Sequence, residues 1–293
     1  MNEKESISRI IRQALLEDIG DGDITTQATV ASDTIYVGEF LAKASGVVAG
    51  LDVAEMTFGC MADLLSGSSV GDKSFQFTAH VSDGAWVEKG SIIATITGLG
   101  QILLTAERVA LNFMQRMSGI ATLTHRYVEA IEGTQAAILD TRKTVPGLRM
   151  LDKQAVAMGG GKNHRIGLYD MVMIKENHVA AAGGVTQAVA QVRTHDKRNR
   201  PIEVEVQNLT ELAEVLPLNV DQVMLDNMSL ADMRTAVEQV NGQVPLEASG
   251  NVSLETVQAI AETGVDYISV GKLTHSVAAF DISFLLRPEG DKV

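Results

Sequence analysis

The chain has 293 residues, 45% apolar and 21% charged, enough to bury a substantial core in one large or two modest domains. A formal charge of −13 argues against a broad nucleic-acid or anionic-membrane surface, so no nucleic-acid and no membrane partner is expected. The single cysteine, Cys60, excludes an intrachain disulfide framework and a cysteine-cluster zinc site. No run approaches the ~18 apolar residues of a membrane span, and the acidic stretch from Met1 to Ser6 does not resemble a signal peptide, so a cytoplasmic protein is expected.

In chain order, residues 7–19 place Ile7, Ile10, Ile11, Ala14, Leu15 and Ile19 on one helical stripe, closed by the turn Gly20-Asp21-Gly22-Asp23. Residues 34–44 alternate as a strand, 53–65 are apolar enough for a second helix, and 75–81 and 84–97 are β-like. The piece from Asp83 to Gly90 has the strand–turn–strand look of a biotin or lipoate carrier. It lacks the lysine at a hairpin tip that such a carrier requires, so it is assigned to sheet strands. Helical periodicity returns over 103–131 through Ala106, Ala110, Leu111, Met114 and Met117, and Ser118-Gly119 predicts a bend between two helices there. Arg108 and Arg116 lie eight apart on one side of that segment, each with a salt-bridge role as its alternative to a functional one. This first part reads as an α+β sandwich domain over residues 1–116, joined by the tail 276–293.

Beyond Gly133, short apolar runs at 136–140, 171–175, 202–206, 222–225, 244–248 and 267–270 alternate with helical stretches near 151–158, 185–193, 209–216, 230–240 and 254–262. Such alternation means βα units and a parallel sheet. Six or seven units without a dinucleotide fingerprint after the first strand predict an α/β barrel over 117–275. Asn208 with Glu211, and Ser229 with Asp232, have capping-box spacing and are accounted for as helix starts.

Polar residues gather just past these predicted strands: Arg142 and Lys143; Lys175, Asn177 and His178; Glu205 and Gln207; Asp226 and Asn227; Ser249, Gly250 and Asn251; Gly271 and Lys272. In α/β barrels that face carries the chemistry. The stretch 140–178 holds seven Lys/Arg against four Asp/Glu, while the remainder holds 17 against 33, so cations are concentrated where an anionic ligand would sit. Glu205 and Asp226 suit Mg²⁺, directly or through water, or positive charge developing on a sugar ring. Glu203 lies on the same side of its strand as Glu205, one layer deeper. The small residues at 249–251 and 269–271 let backbone N–H groups approach a phosphate. A basic half, an acidic half and a phosphate cup together fit transfer of a phosphoribosyl group to an anionic acceptor.

The motifs Asp140-Thr141-Arg142-Lys143-Thr144 with Pro146-Gly147-Leu148-Arg149, the run Gly159 to Leu168 (GGGKNHRIGL), and Ile174-Lys175-Glu176-Asn177-His178 resemble the quinolinate phosphoribosyltransferase family. So do Glu17-Asp18 with Gly22 to Thr26, Glu107-Arg108 with Ala110 to Phe113, and Leu225 to Met228, so the likeness spans nearly the whole chain. The resemblance implies an open β/α barrel of fewer than eight strands, and a homodimer in which one subunit's amino-terminal domain covers the other's barrel mouth. It implies a reaction joining quinolinate to phosphoribosyl pyrophosphate with Mg²⁺, giving nicotinate mononucleotide, pyrophosphate and CO₂. Carried over by position, Arg142, Arg165 and Lys175 bind quinolinate's carboxylates, His164 lines the pocket, and Arg108 reaches in from the partner subunit. Lys143, with Thr141 before it, contacts phosphoribosyl pyrophosphate, and Glu205 and Asp226 its ribose and Mg²⁺. Ala248, Ser249, Gly250 and Asn251, with Ser269, Val270 and Gly271, take its 5′-phosphate. The expected catalytic group is Lys143, Lys175, Glu205 and Asp226. Val145, Val109 and Asn251 depart from the family's usual residues.

Three alternatives stay open on the residues alone. They are a related phosphoribosyltransferase for another heteroaromatic acid, a Schiff-base barrel aldolase with Lys175 as nucleophile, and a ligand sensor on an inactive barrel.

Overall fold

The computed structural model describes residues 3–66 and 75–290. The chain divides into two compact units, Met1–Leu123 with Val145–Gly160 and Ser276–Val293, and Thr124–Thr144 with Gly161–His275. A boundary at residue 116 is therefore not observed, and Val145–Gly160 lies outside the barrel unit.

In the first unit, α1 (Glu3–Ile19) and α2 (Ile24–Thr29) precede β1 (Ile35–Ala42), β2 (Gly46–Val47), α3 (Leu51–Ser66), β3 (Phe75–Ala79), β4 (Trp86–Val87), β5 (Ile92–Leu99) and the greater part of α4 (Gly100–Ala130), whose end from Thr124 onward belongs to the second unit. Two later pieces join them, α5 (Arg149–Met158) and β12 (Ile282–Pro288). The antiparallel sheet runs β12-β1-β5-β3, and β2 and β4 form a small separate ribbon. Phe40 on β1 and Phe58 on α3 are fully buried in the core of this unit, and the half-buried Phe284 on β12 packs against them, its ring 4.8 Å from that of Phe40.

The bend expected at Ser118-Gly119 is absent, because α4 runs unbroken from Gly100 to Ala130. Both residues are small for packing. The Ser118 hydroxyl accepts from Ala49 N (2.9 Å) and donates to Ala49 O (3.1 Å), and a Cβ on Gly119 would stand 2.2 Å from the Ala278 carbonyl oxygen. Arg116 on the same helix makes a two-point ion pair with the fully buried Asp152 of α5, both contacts at 2.8 Å, which is the structural role open to it.

The second unit contains six parallel strands: β6 (Ala137–Leu139), β7 (Val172–Ile174), β8 (Ile202–Val206), β9 (Gln222–Asp226), β10 (Leu246–Ser249) and β11 (Tyr267–Ser269). Helices α6 (Glu176–Ala182), α7 (Val185–His195), α8 (Leu209–Val215), α9 (Leu230–Val240), α10 (Val257–Ala261) and α11 (Lys272–His275) follow them. Strand order β6-β11-β10-β9-β8-β7 is the cyclic order of a barrel with one seam open, between β6 and β7. Lys162 lies along that seam beside Leu139, its N–H donating to Ile138 O at 2.8 Å, so the free edge of β6 is covered by its own loop. The expected caps form: Asn208 accepts from Thr210 and Glu211 N–H, and Ser229 from Asp232 N–H. No helix among the described residues is long and apolar enough to cross a membrane.

Candidate active site

Within the second unit, the carboxyl ends of the strands carry the expected site residues. After β6, Thr141 Oγ1 accepts the Lys143 N–H (3.1 Å) and Thr274 Oγ1 donates to the Lys143 carbonyl (2.8 Å), which fixes this lysine's backbone beside α11. Its side chain lies over Gly271, where a Cβ would stand 3.1 Å from Lys143 Cδ. Beyond β7, Lys175 caps α6 and its ammonium pairs directly with Glu205 at the end of β8. His178 is a helix-start residue, since its Nδ1 accepts the Lys175 N–H at 3.0 Å.

A cavity of about 430 Å³ opens among the ends of β6, β9, β10 and β11. Thr141, Lys143, Asp226 and Ser249 line it, as do Gly250, Asn251, Ser269 and Gly271. Ala248 and Val270 do not: both are buried, because alternation along β10 and β11 turns them away from the side on which Ser249 and Ser269 stand. Asn227, Lys272 and His275 also line it. From the sequence His275 is expected only behind the site; the structure places it on the cavity wall. Asn227 and Asn251 both take left-handed backbone (φ 53° and 52°), and Asn251 Nδ2 donates to Asn227 Oδ1 at 3.1 Å, so the departure at Asn251 is accommodated. Asn227 Nδ2 in turn donates to Asp226 Oδ2 at 3.0 Å.

Arg165 stands before β7, its guanidinium donating to Met171 O at 3.2 Å. Burial, and then Arg142 beside it, push its pKa below the usual arginine value, while Glu203 opposes the shift. Round the sheet, the order is therefore cations at β6, the small-residue cavity at β11 and β10, carboxylates at β9 and β8, and cations again at β7. A larger cavity of about 990 Å³ lies around the end of α7 and the turn before β8, and contains none of the expected site residues. Arg108 belongs to the first unit, on α4, with a side chain 59% exposed and Glu107 Oε1 4.0 Å away.

His164 departs from its expected position on the pocket wall. Its side chain is only 6% exposed, with Nε2 3.0 Å from Glu203 Oε2 and 3.2 Å from Glu247 Oε2. Glu203 and Glu247 are fully buried. Burial alone would lower the imidazole's pKa, but the two carboxylates outweigh it and raise the value to about 10. Burial raises that of Glu247. The trio thus holds one proton more than its members hold separately near neutral pH, and because the Arg165 N–H donates to Nδ1 at 2.6 Å, the ring carries its proton on Nε2 and the extra proton is held by the buried carboxylate pair. Glu203 was placed correctly by strand alternation. Glu247 was missed, and its only sequence signal is a carboxylate at an alternate position of an otherwise apolar strand.

Two family descriptions match the chain, the quinolinate phosphoribosyl transferase N-terminal domain over residues 23–118 and the C-terminal domain over residues 120–285. The quinolinate phosphoribosyltransferase [decarboxylating] 1b of Nicotiana tabacum is 46% identical across 96% of this chain and 82% of its own. The nicotinate-nucleotide pyrophosphorylase [carboxylating] of Mycobacterium leprae is 45% identical, across 93% of this chain and 94% of its own. The crystal structure of NadC from Streptococcus pyogenes superimposes with a TM-score of 0.91 at 37% identity, covering 98% of this chain and 99% of that one. The chain belongs to the quinolinate phosphoribosyl transferase family.

Proposed function

We infer that this protein is a carboxylating nicotinate-nucleotide pyrophosphorylase, transferring phosphoribosyl from phosphoribosyl pyrophosphate to quinolinate with loss of CO₂. The observation that carries the reading is the charge order at the strand ends, with Arg142, Arg165 and Lys175 placed for a dicarboxylate and the small-residue cavity beside Lys143 placed for a phosphate. Quinolinate's two carboxylates meet the three cations, and the 5′-phosphate enters the cavity lined by Ser249 to Asn251, Ser269 and Gly271. Lys143 lies against pyrophosphate, and Glu205 and Asp226 face the ribose.

Holding the two reactants in line can remove roughly 7–11 kcal/mol of the barrier. The pyridine nitrogen bonds to ribose C1′ as the bond from C1′ to the pyrophosphate oxygen breaks, and the carboxylates stabilise positive charge on the sugar. The bond from ring C2 to its carboxylate then breaks, CO₂ leaves, and the electron pair stays on C2 beside the ring nitrogen's positive charge until a solvent proton replaces it. The desolvated cations favour that charge distribution.

Glu205 and Asp226 supply hard oxygen donors on adjacent strands, which fits Mg²⁺ held by one or two carboxylates with substrate phosphates and water completing its shell. Bound there, the ion would neutralise charge on the departing pyrophosphate. A homodimer is part of the proposal: Arg108, exposed and paired only loosely with Glu107, would be given to the mouth of a second copy's barrel. The reading also carries the expectation of a cytoplasmic protein. The aldolase reading is weaker, because Lys175 is engaged as an ammonium by Glu205, whereas a Schiff base needs a free amine.

The test is product analysis. With quinolinate, phosphoribosyl pyrophosphate and Mg²⁺, the protein is expected to release pyrophosphate and CO₂ in equal amounts, and neither with nicotinate. Turnover of nicotinate instead, or pyrophosphate without CO₂, would overturn the assignment.

A further inference from the structure

Beneath the strand ends of the second unit, a polar group is sealed inside the barrel. Gln222 on β9 donates from Nε2 to Glu203 Oε1 on β8 (3.0 Å) and to Glu247 Oε2 on β10 (2.7 Å), tying the two buried carboxylates together. His164 Nε2 faces both from above. Burying two carboxylates costs several kcal/mol each unless partners offset it, so the arrangement needs an account.

A metal ion is the first candidate, because the three donor atoms lie within 4.8 Å of one another. The imidazole argues against it. The Arg165 backbone N–H donates to Nδ1 at 2.6 Å, so that nitrogen presents its lone pair to the main chain. The ring proton is then on Nε2, 3.0 and 3.2 Å from the two carboxylates, and a protonated nitrogen is no metal ligand. With both nitrogens engaged, the imidazole acts on the protein itself. The ring fixes the backbone of Arg165 through Nδ1, while the His164 backbone N–H donates to Oδ1 of the buried Asp140 at 2.8 Å. Asp140 immediately precedes Thr141 and Arg142. Hydrogen bonds and ion pairs thus run from the barrel interior to both segments that carry the guanidinium groups.

We propose that Glu203 and Glu247, bridged by Gln222, are positioning residues for dicarboxylate recognition: they hold the His164 proton on Nε2, and through Nδ1 they fix the backbone from which Arg165 reaches its ligand. This rests on the quinolinate reading of the same site. At Glu203 a neutral amide would not serve, since Oε1 accepts from Gln222 and Oε2 faces His164, so an N–H₂ group would meet one of two groups that are donors already.

The experiment is kinetic and spectroscopic, on the intact protein. Glu203→Gln is expected to raise the KM for quinolinate about tenfold or more, as misplacement of a binding group does, while the KM for phosphoribosyl pyrophosphate stays within about threefold of wild type. Glu247→Leu, which removes the oxygen shared by Gln222 and His164, should act likewise, and Glu203→Asp should recover part of the loss. Val204→Ala, which loosens the core on β8 without touching the network, should leave the ratio of the two KM values unchanged. Equal changes in both KM values, or none, would overturn the proposal. The ¹⁵N shifts of the His164 ring give a readout independent of substrate: wild type should show protonated Nε2 and bare Nδ1, and Glu203→Gln should lose that pattern. Bare Nε2 in wild type would sink the positioning role even if quinolinate turns over, while the expected pattern without turnover would fault only the assigned reaction.

Discussion

Gly250 decides whether the phosphate cavity forms. Its φ of +98° lies where side chains are strained, and a Cβ there would stand 2.1 Å from Asn227 Oδ1. A strain of ~1–2 kcal/mol at such a position corresponds to roughly tenfold in affinity. Gly250→Ala should therefore raise the KM for phosphoribosyl pyrophosphate by about that factor, with the KM for quinolinate little changed, as separate saturation curves would reveal. The His164 trio predicts a pH dependence of stability. Because the folded trio keeps its extra proton up to about pH 10 while a free imidazole loses its own near 6.5, the stabilisation is complete below 6.5 and disappears as pH rises through 10. Urea unfolding of wild type should weaken steadily from pH 7 to 10, and Glu247→Gln should flatten that slope. A wild-type midpoint constant over this range would contradict the sign. At this scale the sequence was legible wherever a residue's role depends on neighbours in its own strand, as with Glu205, Asp226 and the caps at Asn208 and Ser229. It was not legible where the partner is remote: nothing near Glu247 points to His164, and nothing near His164 shows that its ring turns inward.

Helix α4 illustrates the same limit at the scale of elements. Ser118-Gly119 looks like a break because glycine costs about 1 kcal/mol in a helix interior. The structure needs the missing side chain, since Gly119 packs against the Ala278 carbonyl. Overpacking costs about 1–3 kcal/mol and outweighs the helix-propensity gain. Gly119→Ala should therefore lower the thermal midpoint, whereas relief of a true break would raise it; calorimetry distinguishes the two. The barrel strands were readable because buried parallel strands appear as short apolar runs. Strand β12 lies in the tail that the sequence joins to the first domain, but it was not readable as a strand, because its pairing with β1, such as Leu286 with Gly38, joins residues nearly the whole chain apart. Helix α6 was hidden too, since its first turn, Glu176-Asn177-His178, is polar and reads as strand-end chemistry.

For the whole molecule, the proposed dimer makes each barrel depend on the other subunit's Arg108. Arg108→Ala and Lys143→Ala proteins, each inactive alone, should regain about a quarter of wild-type activity when mixed and allowed to exchange, because half the dimers are hybrids with one intact site. Exchange demonstrated by mass spectrometry without any recovery would rule out donation across subunits. The central claim is that the cations around Arg165 hold the dicarboxylate while a separate cavity holds the phosphoribosyl group. Calorimetric titration of Arg165→Ala with each substrate analogue tests it most directly. Quinolinate affinity should fall by at least about thirtyfold, the cost of removing one partner of a buried charge pair, with phosphoribosyl pyrophosphate binding as in wild type. Unchanged quinolinate affinity in that variant would contradict the account.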